Sequence, residues 1–272
     1  MDAERFLRDF HSRDPGGTEI SAYGRLPNGA NSYDLLASGW PADAQGLAIL
    51  DLACGGGFLL DLIRRRQRVP IMLIGADMSG AELALARARL GDAAQLLEVR
   101  AQDIALPDAS IDHAVCHLAL MLMRPIEPVI KKLGALLKPG GSFAAIIPGE
   151  SSKSESSLIF RSALGEAMQA ERVQPIAIGD ARTASAAGLA DLFAGCPAFE
   201  PVRVMPLDLN LSAPPARLAT LFGGLYPVAR LSAAAKASLV EGLTQAFESL
   251  RDSNGDVLLE MPLLHLVARR SR

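Results

Sequence analysis

The stretch Ile49-Leu50-Asp51-Leu52-Ala53-Cys54-Gly55-Gly56-Gly57-Phe58-Leu59-Leu60 constrains the fold more than any other part of the chain. Residues 49–52 read as a short buried strand, 55–57 as a tight turn, and 58–66 as an amphipathic helix. A glycine turn between strand and helix presents backbone N–H groups at a helix N-terminus. The unpaired donors and the helix dipole there both favour negative charge. Glycine also allows positive φ and lets a ligand approach the backbone closely. The turn therefore predicts a site that accepts a carboxylate or a phosphate.

Two ligand classes use such a turn. A dinucleotide fingerprint wants G-x-G-x-x-G after the strand, but the third position, counted from Gly55 and Gly57, is Leu60. What stands instead is an acid at the strand end, Asp51, followed by A-C-G-G-G. A second apolar run, 69–79, ends in Asp77, where an acid can accept both ribose hydroxyls of an adenosine. Met78 then offers a polarizable flank to the adenine. The alternative reading of Asp77 is a cap for the helix 79–90. A third strand, 94–99, is followed by R-A-Q-D-I-A-L-P-D, and a fourth, 110–116, begins at Ser110 before Asp112. The segment L-K-P-G-G-S-F then leads into a fifth strand.

The run D-L-A-C-G-G-G resembles the first motif of class I S-adenosylmethionine-dependent methyltransferases, D/E-x-G-x-G-x-G, with Ala53 in place of the first glycine. The stretch Q-D-I-A-L-P-D is similar to that family's x-D-x-x-x-L-P-F region, and L-K-P-G-G-S to its segment before the fifth strand. With Asp77 this makes four segments in the family's order, over residues 30–150; the likeness is to the small-molecule type, in the broad bacterial type 11/12/25 domains. The resemblance implies a Rossmann-like, seven-stranded, mostly parallel α/β sheet with helices on both faces, the seventh strand antiparallel to the sixth. It also implies S-adenosyl-L-methionine as cofactor, held by Asp51, Ala53, Cys54, Gly55, Gly57, Asp77, Met78, Gln102, Asp103, Ile104, His117 and Leu118. Asp103 falls where an acid accepts from the adenine amino group, and Ile104 where a backbone N–H donates to the ring.

The rest of the chain organises around this core, with 1–45 expected as an N-terminal helical lid and 46–150 as the cofactor-binding unit. Residues 151–272 would complete the sheet and carry a helical cap insertion at about 214–252. In the first part, 3–11 reads as an amphipathic helix, 14–17 as a turn, and 31–38 as a helix capped at Asn31 or Ser32. Segments before the first strand commonly contribute to the acceptor pocket in the resembled family, which makes Tyr23, Asn31, Tyr33 and His11 candidate acceptor contacts. From 51 to 148 the pattern reads βαβαβαβαβ, hence a parallel sheet whose ligands bind at the carboxyl ends of the strands. Asp51, Asp77, Asp103 and His117 converge there. His117 has two readings: a general base for the acceptor, or a cofactor contact that shapes the pocket. His113, inside the strand, reads as structural. Methyl transfer from a sulfonium needs alignment more than acid–base help, so a base is not required.

Past residue 150, helices are expected at 158–172 and 185–193, a sixth strand at 199–210 and a seventh at 257–269. The insertion between them should hold helices at 215–222 and 232–251, with Leu218, Phe222, Leu239, Leu243 and Phe247 near helical spacing. Its apolar face serves either as a cap over the site, as plain packing, or as a homodimer surface. A cap encloses a cavity and suits a small metabolite.

Composition narrows the classes. The formal net charge is −3 over 272 residues with both signs interspersed, which gives no electrostatic footprint for nucleic acid. The longest apolar run, 114–123, is too short to span a membrane, and the charged N-terminus lacks a signal-peptide core, so a cytoplasmic protein is expected. Cys54, Cys116 and Cys196 have no metal spacing and read as reduced thiols; no metal site is expected. Beside the leading reading, a small-molecule methyltransferase, stand an S-adenosylmethionine-binding protein repurposed for other chemistry or regulation, and an NAD(P)-dependent oxidoreductase.

Overall fold

The computed structural model describes residues 2–174 and 176–272. Its sheet begins with β1 (Ala48–Leu52), buried at all five positions. A strand covered on both faces reads as a continuous apolar run rather than an alternating one. Parallel neighbours follow on either side: β2 (Met72–Asp77) and β3 (Gln95–Glu98) on one, β4 (Ile111–His117) and β5 (Leu137–Pro148) on the other. Then come β6 (Arg203–Asn210) and β7 (Glu260–Arg269), and the order across the seven strands is β3-β2-β1-β4-β5-β7-β6. β7 is antiparallel to both β5 and β6. The order reverses between β1 and β4, so a crevice opens at their carboxyl ends.

The helices are α1 (Ala3–Arg13), α2 (Ser32–Ala37), α3 (Phe58–Arg66), α4 (Gly80–Leu90), α5 (Glu127–Leu136), α6 (Glu155–Ala170), α7 (Ala186–Ala194), α8 (Pro215–Gly223) and α9 (Ala233–Glu248). Apolar side chains of α2, α3, α4, α6, α8 and α9 share the core on one side of the sheet, and those of α5 and α7 fill the other. The expected alternation fails once. Between β3 and β4 the chain makes only a 3-10 turn, Ala101–Asp103, in place of a helix. The connection is short and carries Pro107, which lacks an N–H and disfavours helical backbone in the residue before it.

The L-K-P-G-G segment is part of β5 rather than an approach to it, and the β4–β5 register shifts between Ile111 and His113. Gly141 is required there: a Cβ would lie 2.8 Å from the carbonyl oxygens of Asp112 and Lys138. Asp112 accepts from Lys138 Nζ and from the Ala48 backbone N–H, both at 2.8 Å, which ties this corner to the start of β1. The insertion packs through its predicted apolar face. Phe222 stacks on Phe160 of α6 at 4.3 Å and tilts against Phe247 at 5.9 Å. Leu218, Leu243 and Phe247 are buried with it.

Candidate active site

The glycine turn follows β1 with three left-handed residues, Ala53 (φ 57°), Gly55 (φ 50°) and Gly57 (φ 76°). Only glycine takes that conformation freely, so Ala53 carries local strain where the resembled motif has glycine. Asp77 holds the turn from β2. Its Oδ2 accepts the Gly55 N–H at 2.9 Å and its Oδ1 the Ser79 N–H at 2.8 Å. Ser79, not Asp77, caps α4 through the N–H of Glu82. Each carboxylate oxygen of Asp77 has a second lone pair left for an incoming hydroxyl. Burial pushes the Asp77 carboxyl up, against the lowering effect of these two backbone donors.

Asp51 is 2% exposed, and its Oδ2 has no hydrogen-bond partner among the described residues. Burial first, and the charge of Asp77 second, hold its carboxyl well above the usual carboxylate range. A buried carboxylate without a partner is costly unless a cation or donor arrives. The floor of the crevice therefore fits a ligand with a positively charged head beside an adenosine-like diol.

The N-terminal segment lies across this crevice. Glu82, 1% exposed on α4, accepts the Gly16 N–H at 3.0 Å and bonds His11 Nδ1 at 2.8 Å. The other ring nitrogen, Nε2, meets Tyr226 Oη of the insertion at 3.0 Å. Tyr226 packs on Phe10 at 4.6 Å. Further along, Glu19 in the 3-10 run Gly17–Tyr23 pairs with Arg89 Nη1 at 2.7 Å, and the same nitrogen donates to the Gly56 carbonyl at 2.7 Å. At the other end of α1, Glu4 reaches Arg100 at 3.5 Å, which also pairs with Asp103 at 3.6 Å.

His117 ends β4. Its Nε2 bonds Ser32 Oγ at 2.8 Å and its ring stacks on Tyr33 at 3.6 Å. Tyr33 in turn meets Phe58, the first residue of α3, at 4.8 Å. Burial pushes the imidazole down to about 3, which keeps it neutral at physiological pH. Burial also raises the Tyr33 hydroxyl. Leu118 follows with φ 51°. Ile104 is buried, Met78 and Gln102 are half-buried, and Asp103 is exposed. Cys54 is buried inside the turn, its thiol pushed up by burial and then by Asp51.

Four residues named from the sequence as acceptor contacts separate here. Tyr33 sits against His117, and His11 bridges α4 and the insertion. Tyr23 stands apart, 67% exposed, with the Arg217 guanidinium 4.6 Å from its ring. Asn31 is spent in a capping box with Asp34 at the start of α2. The residue that sequence reasoning missed is Glu82. Its signal, S-x-x-E from Ser79, reads as a capping box, yet the side chain turns to the N-terminal segment instead. Among the described residues, no group of three or more His, Cys, Asp or Glu side chains is arranged to hold a metal, and no helix is long and apolar enough to cross a membrane.

Residues 50–145, from β1 through most of β5, match the family described as methyltransferase domain. Over this stretch the chain is similar to a methyltransferase domain. The chain is 32% identical over 116 residues to the 2-phytyl-1,4-naphtoquinone methyltransferase of Synechococcus elongatus, a match over 41% of this chain and 50% of that protein. It thus spans about half the length of the curated relatives it matches. The fold extends over nearly the whole chain. The YcgJ protein of Bacillus subtilis superimposes with a TM-score of 0.59 at 14% identity, covering 89% of this chain and 98% of that one. A Haemonchus contortus phosphoethanolamine N-methyltransferase, solved with phosphomonomethylethanolamine and S-adenosylhomocysteine, gives 0.58 at 17% identity, covering 98% of this chain and 60% of that one.

Proposed function

We propose that the chain transfers a methyl group from S-adenosyl-L-methionine to a small-molecule acceptor. The observation that carries this reading is the buried, partnerless Oδ2 of Asp51 beside the Asp77-held glycine turn. When bound, the cofactor supplies an activated sulfonium methyl group. In this reading Asp51 receives its ammonium group, and the turn from Ala53 and Cys54 through Gly55 and Gly57 surrounds the carboxylate. Asp77 takes the ribose hydroxyls with oxygens that the Gly55 and Ser79 N–H groups already orient. Met78 and Ile104 flank the adenine, with Gln102 and Asp103 at its polar edge.

His117 and Leu118 form the wall of the transfer region. A neutral imidazole pinned by Ser32 and Tyr33 orients neighbours but has little basicity, so His117 acts as a positioning residue rather than as a proton acceptor. Rate enhancement then rests on alignment of the acceptor atom with the methyl group and on exclusion of water. Residues 1–45 serve as the lid and the insertion as its second half, joined at His11 and Tyr226. An enclosure of this kind suits a metabolite rather than a protein or nucleic acid.

Calorimetric titration with S-adenosylmethionine, S-adenosylhomocysteine, NAD and NADP tests the reading. Micromolar binding of the two sulfur nucleosides with none for the dinucleotides is expected. A dinucleotide preference overturns it. Product formation with a panel of small acceptors separates transfer from binding alone.

A further inference from the structure

A second recess lies at the start of α1. It is a cavity of about 480 Å3 between the N-terminus, the segment after β4, the segment after α6, and the insertion. Two guanidinium groups line it, Arg124 from the end of the post-β4 segment and Arg230 from the insertion, with Ala3, Ile176 and Ala177 as apolar wall. We infer that this cavity receives an oxyanion group, carboxylate or phosphate, carried by the methyl acceptor.

The charge balance of the recess supports this. Arg230 spends Nη1 on the Gln174 carbonyl, a neutral acceptor, and makes no ion pair with the described residues. Arg124 makes no hydrogen bond or ion pair with the described residues. Asp180 feels its charge, but that carboxylate is already held by Arg182 at 2.5 and 2.9 Å. Among the described lining residues the one carboxylate, Asp2, accepts from the Glu4 N–H and caps α1. Two planar forks facing one small volume match the geometry of a carboxylate or phosphate, and the apolar wall accommodates the carbon skeleton that carries it.

The position suits an acceptor. Arg124 lies seven residues beyond His117, past the 3-10 turn Leu120–Leu122, and Arg230 lies four beyond Tyr226, which contacts His11 over the crevice. Both arginines thus hang on segments that border the proposed transfer region. The other side of the recess is α1, the helix that covers the cofactor crevice.

This inference rests on the proposed transfer reaction, and the test separates the two. The full chain, saturated with S-adenosylhomocysteine, is titrated with inorganic phosphate and, separately, with benzoate. Saturable binding of at least one is expected, weakened fivefold or more by Arg124→Gln and by Arg230→Gln and lost in the double variant. S-Adenosylhomocysteine affinity should stay within twofold of the parent in all three. The preferred anion tells phosphate from carboxylate. Absence of saturable binding of either anion, or binding that survives in the double variant, overturns the inference and leaves the cofactor reading standing. Failure of S-adenosylhomocysteine to bind the parent overturns the transfer reading, and with it an acceptor role for the recess. A matched pair of acceptors, with and without the acidic group, completes the test: turnover of the acidic one should depend on both arginines through KM, and equal KM for the pair counts against the inference.

Discussion

Asp51→Asn should make the ligand-free protein more stable and the cofactor complex weaker. The substitution preserves shape and removes a buried charge that has no partner at Oδ2 and that faces the charge of Asp77. Relief of the desolvation of that charge and of its repulsion by Asp77, on the order of 1–3 kcal/mol, should raise the unfolding midpoint by roughly 2–8 °C for a chain of this size. The same carboxylate is the proposed acceptor for the cofactor's ammonium group. Loss of a hydrogen bond to a charged group, about 1.5–3 kcal/mol, weakens S-adenosylhomocysteine binding roughly tenfold to 150-fold. The pH dependence follows from the raised carboxyl. Between its unfolded value near 3.8 and the higher folded one, the folded chain holds more protons than the unfolded chain, so stability falls as pH rises through that window. In Asp51→Asn this slope should flatten. Thermal melts at several pH values, with and without S-adenosylhomocysteine, read all of this. Destabilisation of the ligand-free protein at pH 7, or an unchanged affinity, would refute the reasoning.

Asp77→Ala should weaken cofactor binding by about 1–3 kcal/mol and also lower the unfolding midpoint, because the Gly55 and Ser79 N–H groups lose their acceptor; unchanged affinity would remove Asp77 from the site. His117, pushed down to about 3 from 6.5, binds protons only in the unfolded chain across that interval, so it contributes stability that is lost as pH falls below about 6.5. His117→Gln should reduce this acid sensitivity, and kcat should show no inflection from His117 between pH 6 and 8; an inflection that disappears in the variant would reinstate it as a base. Tyr226→Phe removes the hydroxyl that meets His11 and should speed S-adenosylhomocysteine release several-fold in stopped-flow displacement, with little change in midpoint. An unaltered release rate would show that the insertion does not hold the lid.

The first half of the fold was legible because its signals are local. The run 49–52, three glycines and the helix 58–66 lie within one short stretch, and the helix matches Phe58–Arg66 to the residue. The acids at the tips of β1 and β2 were legible for the same reason, since a strand that ends in an acid carries its own address. Where context decides, the reading slipped. The 3-10 run Gly17–Tyr23 carries no period of its own, and the β3–β4 connection breaks the alternation expected over 51–148. Glu82 looks like an ordinary capping residue, and nothing in its neighbourhood shows that His11 will meet it. The contact of His11 with Tyr226 joins positions 215 residues apart, which only the folded chain brings together.

The segment that lies across the crevice bears on timing as well as on enclosure. Helix α1 is fastened at Arg100, Glu82 and Tyr226, and the 3-10 run behind it at Arg89. In the proposed reaction one nucleoside leaves and another enters in every cycle, past these four fastenings. Undocking of this segment is then expected to limit nucleoside exchange in that reaction. On that reading a single short helix would set the pace of exchange, and a better methyl acceptor would leave that pace unchanged.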